Sequence, residues 1–123
     1  MPVQRLASVG LPPAVGRTTT FTSPDLVNQN ARGVVVVLDM TSAGTGSVTV
    51  SIQGKDRASG AYFTLLAGLP VTTVSTNRYR VHPNLAAAAN SVAADVLPEI
   101  WRLVVTANNS NPVSWTCGAV MVL

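Results

Sequence analysis

The stretch that most restricts the fold is 47–67, SVTVSIQGKDRASGAYFTLLA. Val48, Val50 and Ile52 alternate with Thr49, Ser51 and Gln53. This gives one apolar and one polar face at the two-residue period of a half-buried antiparallel strand. Residues 54–60 supply a polar reversal bounded by glycines, and strand-like residues resume at Tyr62. A β-hairpin of this kind has to lay its apolar face on another layer, so the rest of the chain must furnish one.

The remaining segments read as further strands. Residues 34–40 are a continuous apolar run with Asp39 near its end, the pattern of a central strand covered on both faces. Residues 18–23 suit a first, edge strand that ends at Pro24, and 26–32 suit a loop or single turn. Residues 71–81 resume a strand with an irregularity near Asn77, placing Tyr79 and Val81 on one face and Arg78 and Arg80 on the other. Residues 84–98, NLAAAANSVAADVLP, predict a long crossover loop with one helical turn that Asn84 caps. A second hairpin follows. Trp101, Leu103, Val105 and Ala107 alternate with Arg102 and Thr106, 108–112 turn the chain, and 113–123 form a strand whose second half is apolar on both faces. A strand of that character is central or lies between subunits. The sum is an all-β chain: a single antiparallel β-sandwich of about seven strands, immunoglobulin-like or jelly-roll, with an up-and-down barrel as the alternative.

Residues 1–17 read differently. Three prolines and two glycines among short apolar residues favour an extended N-terminal arm ahead of a β-sandwich domain at 18–123. Val3, Leu6, Val9, Leu11 and Val15 are poorly suited to water, so the arm is expected to lie on its own domain or on a neighbouring subunit. Gly10, Pro12 and Pro13 break every apolar run that a signal peptide would need, and no segment approaches the roughly 18 apolar residues of a membrane span.

Composition bears on partners. Of the 123 residues, 47% are hydrophobic and 11% charged, against roughly 25% charged in ordinary soluble proteins. A domain of this size buries roughly two thirds of its unfolded surface, so an apolar excess points to cover by other chains, as in a homo-oligomer or a larger assembly. The net charge of +3 comes from scattered cations without a basic run, and aromatics make up 5%, so no nucleic-acid partner is expected.

Chemistry-bearing residues are few. His82 is the single imidazole and sits between Val81 and Pro83 at a strand end, where a surface role suits it better than a general base. Asp25, Asp39, Asp56, Asp95 and Glu99 are scattered over strand ends and turns. Asp56 and Ser59 fall short of the six to eight oxygens that calcium takes and suit a turn bond. Gly44-Thr45-Gly46 lacks the lysine and helix of a phosphate loop, and Asn108-Asn109-Ser110 is a polar turn. Cys117, in phase with Trp115, suits a small core residue, and both tryptophans fall on core faces. Tyr62 is the aromatic expected to face outward and the candidate for stacking on a sugar. No catalytic residue, metal ligand or cofactor site is assigned.

Four phrases matter as a set: RGVVVVLDM, VTVSIQGKDRASGAYFTLL, YRVHPNL and WRLVVTANNSNPVSW. In order and spacing they resemble small β-rich proteins encoded in the structural gene region of tailed bacteriophages and prophages, over about 18–123. The resemblance implies a virion component, a capsid decoration protein or a head or tail accessory protein. Such a protein works by packing against major capsid or other virion proteins. It is made in the host cytoplasm, is not an enzyme and engages no membrane. Val120 and Val122, with the five apolar residues of the arm, are then the expected contacts.

Overall fold

The computed structural model of the chain describes the backbone from Leu11 and the side chains from Arg17, in each case to Leu123. Among the described residues all regular structure is β. The strands are β1 (Leu11–Arg17), β2 (Phe21–Thr22), β3 (Leu26–Val27), β4 (Gly33–Ser42), β5 (Val48–Lys55), β6 (Tyr62–Ala67), β7 (Ser75–Val81), β8 (Val92–Ala93), β9 (Ile100–Ala107) and β10 (Val113–Val122). A front sheet runs β1-β10-β4-β7-β8 and a back sheet β2-β9-β5-β6, with β3 also pairing β9. All pairings are antiparallel except that of β7 with β8.

The two sheets share one core. From the front sheet, Val34, Val36, Leu38 and Met40 of β4 are fully buried, in register with Met121, Ala119, Cys117 and Trp115 of β10. From the back sheet, Val50 and Ile52 of β5 meet Trp101, Leu103 and Val105 of β9 in the same cluster. Each large side chain so buried contributes about 1.5–3 kcal/mol, and on β5 and β9 the period-two pattern keeps the strands from slipping in register.

Several segments depart from the sequence reading. The edge strand expected at 18–23 is the short β2. The chain then continues past Pro24 as β3, because Pro24 has no N–H to give the ladder. Ser23 bridges the gap: its N–H donates to Leu103 O at 2.9 Å, and its hydroxyl accepts the Leu103 N–H at 2.9 Å. Residues 84–98 hold no helix; they carry β8 and a left-handed Asn90 at φ 65°. Alanine propensity is overruled there because β8 pairs with β7, the Arg80 N–H donating to Ser91 O at 2.9 Å. β7 begins at Ser75, Val71 making only an isolated bridge to Val48, and its register with β4 is regular through Asn77. The strand count among the described residues is therefore ten where about seven were expected. From Leu11 the chain is β1, paired to β10 with two register shifts, while residues 1–10 lie outside the described part.

Candidate functional site

The outer face of the front sheet carries part of the apolar surface that the core does not use; Val27, Phe63, Leu69, Val74 and Val96 are exposed on other parts of the molecule. On β4 it is the odd-numbered residues that point away from the core, and register sets them in rows across three strands: Val120 with Val35 and Arg80, then Gly118 with Val37 and Arg78, then Thr116 with Asp39 and Thr76. Val122 extends the first of these toward the end of the sheet. The expectation that β4 is covered on both faces is corrected here, since Val35 and Val37 are only half-buried and Val120 is 37% exposed. A Cβ built on Gly118 meets open space, so the middle of the face is flat.

Charge on this face is sparse: Asp39 on β4 and Arg78 and Arg80 on β7. The ion pairs among the described residues are Lys55–Asp25 and Arg57–Glu99, both on other parts of the molecule. Asp39 accepts the Thr76 hydroxyl at 3.2 Å, and no ion pair joins it to Arg78 or Arg80. The face is thus apolar through its centre, with two arginines along the β7 side.

At its end lies a cavity of about 300 Å³ lined by Val34, Val35, Val81, Leu85 and Val122, with His82 beside them. The His82 Nδ1 accepts the Asn84 N–H at 3.0 Å, which places the ring proton on Nε2 to donate to the Leu123 main-chain oxygen at 3.1 Å. The expected surface histidine is therefore half-buried, with both ring nitrogens engaged by the main chain.

A second constellation crosses the outer face of the back sheet. Tyr62 donates to Asp25 at 2.6 Å and Lys55 to the other oxygen of Asp25 at 2.9 Å. The Arg102 guanidinium stacks on the Tyr62 ring at 3.4 Å from its centroid and donates to Gln53 at 2.7 Å. The Tyr62 bond first, and the Lys55 bond second, hold the Asp25 carboxyl below its ordinary range. Tyr62 faces outward as expected, at 37% exposure, but its ring and hydroxyl are already engaged. One ring face is occupied, and its hydroxyl fastens the hairpin to the loop between β2 and β3.

The other expected residues fall into place singly. At the hairpin tip, Asp56 accepts the Ser59 hydroxyl at 2.8 Å and the Ala58 N–H at 3.1 Å, the expected turn bonds, and its carboxyl is lowered by them in that order. Lys55, expected in the tip, ends β5 and is committed to Asp25. Cys117 is buried in the core, and burial pushes its thiol up to about 12. Val120 and Val122 lie together on the outer front face. Leu11 and Val15 fall on β1, whose side chains before Arg17 are not described, and Val3, Leu6 and Val9 lie outside the described residues. Among the described residues no three His, Cys, Asp or Glu side chains gather as metal ligands.

Sequence reasoning missed the outward turn of Val35 and Val37 and the Tyr62–Arg102 stack. A continuous valine run gives no period to read, so only pairing with β7 and β10 reveals which valines face out. The stack was recoverable from register, because Gln53 faces Arg102 and Lys55 faces Tyr62 on the polar side of the two hairpins.

Neither the comparison with protein-family models nor that with curated proteins gave a match to this chain.

Proposed function

We propose that this chain is a non-enzymatic structural protein of a tailed-bacteriophage particle, a capsid decoration or stabilising protein that seats the outer face of its front sheet on virion neighbours. The observation that carries the reading is the patch of Val120, Val35 and Val37 around Gly118, apolar and flat in a chain only 11% charged. Subunits that bind an assembled shell through such a surface stabilise it by mass action, since they bind the intact form alone. Contacts from the arm, at Val3, Leu6, Val9, Leu11 and Val15, belong to the same proposal, as does self-association into a homo-oligomer.

Strand order supports a jelly roll as the finer description of the fold. With β2 and β3 taken as one strand interrupted at Pro24, and β8 as an addition, the eight strands stand in chain order as first-eighth-third-sixth in the front sheet. The back sheet is second-seventh-fourth-fifth. Two interlocked Greek keys give this order, and the architecture recurs in viral capsid and lectin domains. Fold alone assigns no task; the apolar outer face favours assembly. A tail or head–tail accessory role uses the same surface.

The second reading is a sugar-binding module centred on Tyr62, favoured by the polar groups around that ring. Loss of glycan-array binding on Tyr62→Ala supports it, and silence across sugars removes it. Mass spectrometry of density-purified particles from an induced lysate tests the main proposal. Peptides of this chain at stoichiometric level are expected, and their absence from intact particles overturns it.

A further inference from the structure

The edge of β7 is only partly covered. β8 pairs with it at Arg80 and Val81, where the Arg80 N–H donates to Ser91 O at 2.9 Å and the His82 N–H to Ala93 O at 3.0 Å. Alternation along a regular strand turns the main-chain N–H and C=O of Thr76 and Arg78 to this same edge, beyond the reach of β8. Their N–H groups meet no main-chain partner among the described residues. Ser75, Asn77 and Tyr79 turn the other way, into the ladder with β4.

A cavity of about 330 Å³ lies along this bare stretch. Leu69 and Val71 line it from the connection between β6 and β7, Asn90 and Ser91 from the segment ahead of β8, and Arg78 and Tyr79 from β7 itself. The lining is held in place: the Asn90 side chain donates to Ala67 O at 3.0 Å, and Gly68 packs so closely on the Tyr79 ring that a Cβ there would come within 2.6 Å of it. Arg78 is exposed and makes no ion pair among the described residues.

We infer that this cleft takes up an extended peptide segment of a partner protein by strand addition to β7, one whose side chains alternate between apolar and acidic. The unpaired main-chain groups of Thr76 and Arg78 supply the ladder bonds, and alternation sorts the side chains. Those on the core side of the added strand lie by Leu69, Val71 and Tyr79, where an apolar group gains burial. Those on the outer side stand beside the Arg78 guanidinium, which selects a carboxylate. The site lies on the edge of the front sheet and is independent of the virion reading; any partner with such a segment fits it.

The test uses the purified chain labelled with ¹⁵N and two acetylated, amidated peptides, Thr-Val-Glu-Val-Glu-Val-Thr and its counterpart with Lys in place of Glu. The Glu peptide is expected to shift the amide resonances of Thr76 and Arg78 and to slow their hydrogen exchange about tenfold or more, whereas the Lys peptide leaves them unchanged. Arg78→Glu reverses the preference. Thr76→Pro, which removes an edge donor and the exposed hydroxyl bond to Asp39 but leaves the main-chain ladder to β4, abolishes the response with little change in the melting temperature. No response to the Glu peptide, an equal response to both peptides, or shifts centred on Val35, Val37 and Val120 overturns the inference.

Discussion

The Tyr62 hydroxyl reaches Asp25 across the whole width of the back sheet, from its β6 edge to the loop beside β2, at 2.6 Å. The bond joins the tip end of the hairpin to the edge strand that Pro24 interrupts, and Arg102 fixes the ring from β9. Tyr62→Phe removes the bond and leaves the ring.

The pH dependence of that substitution follows from Asp25. Its carboxyl is lowered from the ordinary 3.8, first by Tyr62 and next by Lys55. A lowered carboxylate adds stability that is present above its unfolded value and is lost as pH falls through the folded one. Thermal melts should show the native chain above Tyr62→Phe at pH 7, with the gap closing below about pH 4. A gap that persists unchanged at pH 2 contradicts the assignment.

At alkaline pH the core thiol takes over. Burial raises Cys117 from 9.0 to about 12. Tyr79 is raised from 10.0, chiefly by burial and then by Cys117. The unfolded chain ionises these groups first, so stability is whole below about pH 9 and falls as pH rises through the interval up to the folded values. Urea unfolding should show this decline, and Cys117→Ala should remove the part that starts near pH 9. The same burial predicts that a thiol reagent labels Cys117 at the rate of unfolding.

Glycines separate the closed parts of the front sheet from its open face. A Cβ on Gly33 overlaps the Val81 carbonyl oxygen, a main-chain atom that cannot swing away. Gly33→Ala should lose about 1–3 kcal/mol in urea unfolding, whereas Gly118→Ala, on the outer face, should be neutral or slightly stabilising.

The hairpin tip is predicted to matter for stability and not for assembly. Replacing Lys55, Asp56 and Arg57 together by Ala removes both ion pairs of the described residues and the turn bonds of Asp56. The melting temperature should fall, while the amount of protein recovered with purified particles at a permissive temperature stays at the native level. Loss of recovery would place the tip in the contact.

Periodicity made the core legible. Val48, Val50 and Ile52, and Trp101, Leu103 and Val105, are buried where alternation put them, and both tryptophans and Cys117 lie inside. Three kinds of information were not in the local sequence. The valine run of β4 has no period, so its outward members emerged only from pairing. Residues 84–98 carry helix-forming alanines whose preference yields to a strand partner 12 residues earlier, with Arg80 facing Val92. The commitments of Tyr62 and His82 depend on Asp25 and Leu123, which are distant in the chain and close only once the sheets form.

The proposed seating of the outer front face on the particle makes Gly118→Glu the decisive variant. Its side chain enters open space, so the fold and melting temperature should be kept, yet it sets a carboxylate among Val37, Val35 and Val120. Burying that charge in an apolar contact, even with Arg78 in the same row, costs more than the roughly 1.4 kcal/mol that corresponds to tenfold in affinity. Mixed with particles lacking the protein and sedimented with them, the variant should be recovered at less than about a tenth of the native amount. Recovery equal to that of the native chain would contradict the account.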